Sequence, residues 1–134
     1  MTPKHVEREL ALYLEGAGLS LSTTSSPPTL FWGQVPTTTP DLMVAVRDTG
    51  GEQSLYLGTR RGLVAADVQV VVRGLSNRVA ATRELAVACW SALHLARVQG
   101  YVDVRCEGAG PVAQPQDGSG RPRYSFNVAA SYVA

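Results

Sequence analysis

The chain has 134 residues, of which 45% are apolar and 17% charged, and a formal net charge of +1 from 12 basic and 11 acidic side chains. That is one globular domain with a core of its own, not a disordered chain and not a scaffold that needs a metal or a disulfide to fold. So small a charge excess also excludes a sequence-independent grip on nucleic acid, which requires a clustered basic face.

Residues 1–15 interleave Lys4, Glu7, Arg8, Glu9 and Glu15 with apolar residues, so the reading expects no signal peptide. No apolar run approaches the ~18 residues of a membrane span, and the expectation is a soluble chain made in a reducing cytoplasm. Thr2-Pro3 should open the first helix, with Thr2 as N-cap and Pro3 in the first helical position. Val6, Leu10, Leu14 and Ala17 mark its buried face, and Gly16 and Gly18 its stop. Leu19–Thr24 and Leu30–Val35 read as short strands. Between Pro36 and Pro40 lies an extended surface connection, because two prolines so close cannot sit in a central strand.

Leu42–Arg47 alternates cleanly: Leu42, Val44 and Val46 point one way, Met43, Ala45 and Arg47 the other. Asp48-Thr49-Gly50-Gly51 is a turn signal. The stretch from Glu52 to Asp67 is too apolar for a passive loop and too interrupted for a core strand, and suits a projecting hairpin or arm. Val68–Arg73 is a strand, and Ser76 the expected N-cap of the main helix. That helix carries a stripe of Val79, Thr82, Leu85, Ala86, Cys89, Ala92, Leu93 and Ala96, and Gly100 should end it. Tyr101–Cys106 is a strand and 108–120 a loop with a short extended piece near Val112. Arg123–Val133 alternates strictly as the last strand.

The fold class is therefore α+β: a mostly antiparallel sheet with two helices packed on one face and a projecting hairpin or arm, in a single domain spanning 1–134. The face away from the helices reads Arg47, Gln69, Arg73, Asp103, Arg105, Ser125, Asn127. So polar a surface is solvated or lies against a neighbouring chain.

No catalytic constellation is visible. His5 and His94 lack a Ser, Cys or carboxylate at motif spacing and read as surface residues. Cys89 and Cys106 lack metal-ligand spacing and read as thiols packed like small hydrophobes. Gly16-Ala-Gly18 follows a helix and Gly108-Ala-Gly110 leads into Pro111, the wrong contexts for a dinucleotide. The carboxylates are scattered, and Trp32, Tyr56 and Trp90 lie in different elements. No residue is expected to be catalytic or to hold a cofactor or metal, and the protein is expected to work by binding others.

Three segments carry a resemblance. Residues 36–51, PTTTPDLMVAVRDTGG, resemble the stretch ending V-A-V-x-D-T-G-G in the tail terminator proteins of long-tailed bacteriophages, a family of minor capsid or tail-completion proteins. Residues 68–74, VQVVVRG, are similar to that family's strand before the long helix, and residues 120–128, GRPRYSFNV, to its C-terminal strand. Element order and length match over nearly the whole chain, although residues 19–35 match nothing in the family.

The resemblance implies a structural virion protein of the neck. It would be a homo-oligomeric, hexameric ring that caps the tail tube, ends its polymerisation and joins tail to head. Its partners would then be itself, the tail tube protein and a head-completion or connector protein. DNA would only pass through the lumen, and no membrane would be involved. Assembly in the host cytoplasm and residence in the virion follow. Another head-completion protein of the neck is the near alternative, and a small-ligand or enzymatic domain with a pocket under the 108–120 loop is the distant one. A ring needs two surfaces that meet head to tail. Arg47, Arg73 and Arg105, sharing a sheet face, are one candidate surface for a neighbour or the lumen. Leu55, Tyr56 and Leu57 on the arm, with Arg60 and Arg61, are the other.

Overall fold

The computed structural model describes residues 3–56 and 62–133, with the backbone alone for 53–56. Its elements are α1 (Val6–Glu15), β1 (Leu30–Trp32), β2 (Met43–Tyr56), β3 (Gly62–Arg73), α2 (Val79–Leu93), β4 (Asp103–Cys106), β5 (Val112–Gln114) and β6 (Arg123–Val133). The sheet runs β1-β2-β3-β6-β4, with β5 also paired to β6 below β4. All pairings are antiparallel except β1 with β2, which is parallel.

Period-two alternation decides what each strand buries. Val44 and Val46, Val68, Val70 and Val72, Val104, and Val128 and Ala130 turn to one face and are sealed from solvent. β-branched side chains fit this pleated, half-buried surface, and each buried valine contributes about 1.5–3 kcal/mol. Leu10 and Leu14 of α1 and Ala86, Cys89 and Leu93 of α2 close over that face in the same core. Small residues on the α2 stripe let its axis lie close to the sheet, and Trp90 meets Phe126 of β6 edge to face at 5.6 Å. Both helices therefore sit on one side and leave the other side of the sheet uncovered by helix, as the alternation implied.

Several local expectations give way. Thr2 lies outside the described residues, and Pro3 precedes the helix, which starts at Val6 with His5 as a cap that makes no side-chain bond. Ala17 is exposed beyond its end. Leu19–Thr24 is not a strand: Leu21 plugs the core, while the Glu15 carboxylate accepts from the Thr23 backbone N–H at 2.6 Å and so wraps the chain around the helix end. The Leu30 strand stops at Trp32, and β4 starts only at Asp103, leaving Val102 67% exposed.

Asp48–Gly51 is not a turn. β2 runs through it, with a bulge between Asp48 and Gly50 that absorbs the sequence's turn propensity. Gly51 sits at φ 135°, and a Cβ there would overlap the Ala65 carbonyl across the ladder, so the twist needs glycine. The arm is thus the far half of one long hairpin, with pairs running out to Tyr56↔Gly62. It is not free along its length, since Leu63–Ala66 also pair with Ala130–Val133.

Ser76 does not cap α2. Its hydroxyl donates to the Ser119 carbonyl at 2.9 Å, and Arg78 occupies the cap position without a side-chain bond. Val79 is 45% exposed rather than buried. The helix ends at Leu93, well short of Gly100, because His94 turns extended and Leu95 takes φ 56°. The diverted chain runs beside β4. The Leu95 N–H donates to the Val104 carbonyl at 2.8 Å, and the Cys106 N–H donates to His94 Nδ1 at 3.1 Å. On the opposite border, the Leu30 N–H donates to the Ser22 carbonyl at 3.0 Å. The outward polar groups of both border strands are engaged by the chain itself at these points.

Candidate functional site

The face turned away from the helices is the surface the sequence singled out, and register shows how it is laid out. Arg47 pairs with Gln69 and Gln69 with Asn127; two residues down, Ala45 pairs with Val71 and Val71 with Ser125; then Met43 pairs with Arg73 and Arg73 with Arg123. Up the sheet, Arg105 pairs with Ala129. Arg47, Arg73 and Arg105 therefore share one face, as the alternation predicts.

They do not act as one cluster. Arg73 is half-buried and turned onto the proline-flanked connection: its Nε donates to the Asp41 carbonyl at 3.0 Å, and its Nη2 to Thr39 Oγ1 and the Pro40 carbonyl, each at 2.7 Å. Loss of hydration, aided by the neighbouring Arg121 charge, lowers its pKa. Arg105 is exposed and paired with Asp103 at 3.6 Å. Arg47 is exposed and donates to Gln69 Oε1 at 3.0 Å. Leu57, Arg60 and Arg61 lie outside the described residues; Leu55 and Tyr56 are placed on the hairpin by backbone pairing alone.

Two arginines that were not singled out, or only in passing, organise the lower end. Arg121 is ion-paired with Asp117 at 2.6 Å and with Asp41 at 3.0 Å, joining the 115–122 loop to the 36–42 connection. Loss of hydration opposes ionisation of Asp117, yet the backbone N–H groups of Arg121 and Ser119 and the Arg121 side chain hold its carboxyl below the usual range. Arg123 gives Nε and Nη2 to the Pro115 carbonyl at 3.0 and 2.9 Å. Among the described residues Arg47 and Arg123 have no ion-pair partner.

The centre of this face is apolar, which the sequence reading did not anticipate. Phe31, Met43 and Ala45 form a second buried cluster, flanked by Val35. Met43, Ala45 and Val71 make the floor of a depression of about 310 Å³, walled by Val35 on one side and Gln114 of β5 on the other, with Arg47, Gln69, Arg123 and Ser125 around it. Gln114 Nε2 donates to the Ser125 hydroxyl at 2.8 Å. The signal was present in Met43-x-Ala45, but a strand flanked by arginines reads as polar until the loops that wall it are in place.

The groups with chemical potential lie elsewhere. His5 is exposed, 3.2 Å from Glu7 and edge-on to Trp32 at 4.8 Å. His94 is not a free surface residue: it is half-buried, stacked on Trp90 at 5.3 Å, and accepts from the Cys106 backbone. The Cys106 thiol beside it is no nucleophile, since burial pushes it up to about 12, and burial does the same to Cys89. Among the described residues no group of three or more His, Cys, Asp or Glu could hold a metal ion, and no helix is long and apolar enough to cross a membrane.

No protein-family model matches the chain, and no curated protein matches it. Among solved structures, a chain of the "Virion of native gene transfer agent (GTA) particle" has the same fold. The superposition has a TM-score of 0.65 at 12% identity and covers 98% of this chain and 100% of that one. At that identity the likeness is one of architecture.

Proposed function

We propose that this chain is a structural part of a phage-like virion, working in the neck as a ring of the tail-terminator kind. One observation carries the reading: a solved virion chain has the same fold from end to end, with almost nothing left over on either side. The sequence resemblance at residues 36–51, 68–74 and 120–128 points the same way independently. In this role the chain recognises copies of itself, the tail tube and a head-side partner, and needs no chemistry of its own. Head-to-tail closure requires two unlike surfaces, and the outer sheet face and the long β2–β3 hairpin are the two candidates.

Light scattering and negative-stain imaging, with and without purified tail tube protein, test this. The expected outcome is a ring with a central hole that halts tube growth at a fixed length. A ring that leaves tube length unrestricted would assign the chain to another position in the neck. A monomer that also fails to limit the tube would overturn the virion-ring reading.

A further inference from the structure

We propose that the depression on the outer sheet face is a binding site for an extended segment of another protein with the pattern acid-x-apolar-x-acid. The inference rests on this surface alone and does not require that a ring forms.

The flanks are Val35, after β1, and Gln114 on β5, the strand paired to β6, and between them β2, β3 and β6 form the floor. Three strands span about 10 Å at the usual spacing, room for one extended chain. The charges sit at opposite corners. Arg47 is level with Gln69, while Arg123 is level with Arg73 and Met43, two strands across and four residues down. Their Cα atoms are thus about 16 Å apart, roughly 13 Å of that along the strands. In an extended chain residues i, i+2 and i+4 share a face and i to i+4 spans about 13 Å. Carboxylates at i and i+4 therefore meet the two guanidiniums, and residue i+2 lands on Ala45 and Val71, where only an apolar side chain fits without a buried polar cost. None of the residues lining the depression is acidic; Arg47 gives Nη2 to Gln69 and Arg123 gives Nε and Nη2 to the Pro115 carbonyl, which leaves a terminal nitrogen of each guanidinium for a carboxylate from outside.

A second copy of this chain does not supply such a segment. Acidic residues stand four apart only at Asp48/Glu52 and Asp103/Glu107, with Gly50 and Arg105 between them. The sequence between Tyr56 and Gly62 has Arg60 and Arg61, the wrong sign. A nucleic-acid strand would gain nothing from the apolar floor between the charges.

The test is fluorescence anisotropy with three labelled, end-blocked peptides: Glu-Gln-Leu-Gln-Glu, the same with Lys at both ends, and the same with Gln in place of Leu. The first should bind about tenfold or more tighter than either control, and less tightly as salt is raised. Arg47→Glu, which loses only the bond to Gln69, should abolish the preference between the Glu and Lys peptides with an unchanged melting temperature. Equal affinity for all three peptides, no saturable binding, or indifference to Arg47→Glu would overturn the proposal. So would tighter binding of single-stranded oligothymidine. Self-association abolished by Arg47→Glu would assign the depression to a second copy and overturn it too.

Discussion

Arg73 holds three acceptors of the 39–41 connection, and each such bond is worth about 0.5–1.5 kcal/mol net. Replacing it with alanine should lower the stability of the fold by about 1–3 kcal/mol in a urea titration, whatever it does to assembly. Reversing its charge is therefore a poor probe of an interface, although its place on the outer face made it look like one; the exposed Arg47 is the better choice. The thiols give a second expectation. Cys89 and Cys106 are both buried and raised to about 12, so at pH 8 neither should react with Ellman's reagent within minutes in the native protein. Both should react at once in guanidinium; rapid labelling of the native chain would mean that the seat of α2 opens easily.

The elements show which signals survive folding. β6 was legible to the residue because Tyr124, Phe126, Val128, Ala130 and Tyr132 recur at every second position and no glycine or proline interrupts them. The 48–51 segment was misread because turn chemistry and bulge chemistry use the same residues: Asp-Thr-Gly-Gly supplies positive φ to either, and only the opposing strand decides between them. The end of α2 was hidden for a similar reason. Nothing local stops the apolar stripe at Leu93; the contact with β4 does, through Leu95 and His94. The outer face was legible as a set of residues but not as a shape, since its walls come from Val35 and Gln114, distant in sequence. The hairpin pairing changes how its role should be tested. Removing 52–66 would strip β6 of its β3 partners at Ala130–Val133. Replacing residues 55–62 with Asn-Gly keeps Gln53 opposite Val64 and supplies a two-residue turn. That variant should melt within a few degrees of the parent by circular dichroism yet fail to form rings on imaging; normal rings would exclude the hairpin tip from assembly.

For the whole molecule, the helices use up one face of the sheet, which leaves the opposite face and the hairpin as the surfaces that the proposed role would use. The side borders are in a different condition. At β4 the helix overrun and an imidazole nitrogen hold the outward carbonyl of Val104 and amide of Cys106, and at β1 the Ser22 carbonyl holds the amide of Leu30. Open strand borders act as templates on which further copies can zip into ribbons. A chain working as the proposed ring would accumulate in many copies before meeting its target and would be exposed to that hazard for the whole waiting period. Here internal hydrogen bonds occupy the outward groups at Leu30, Val104 and Cys106, which blunts the borders at those points.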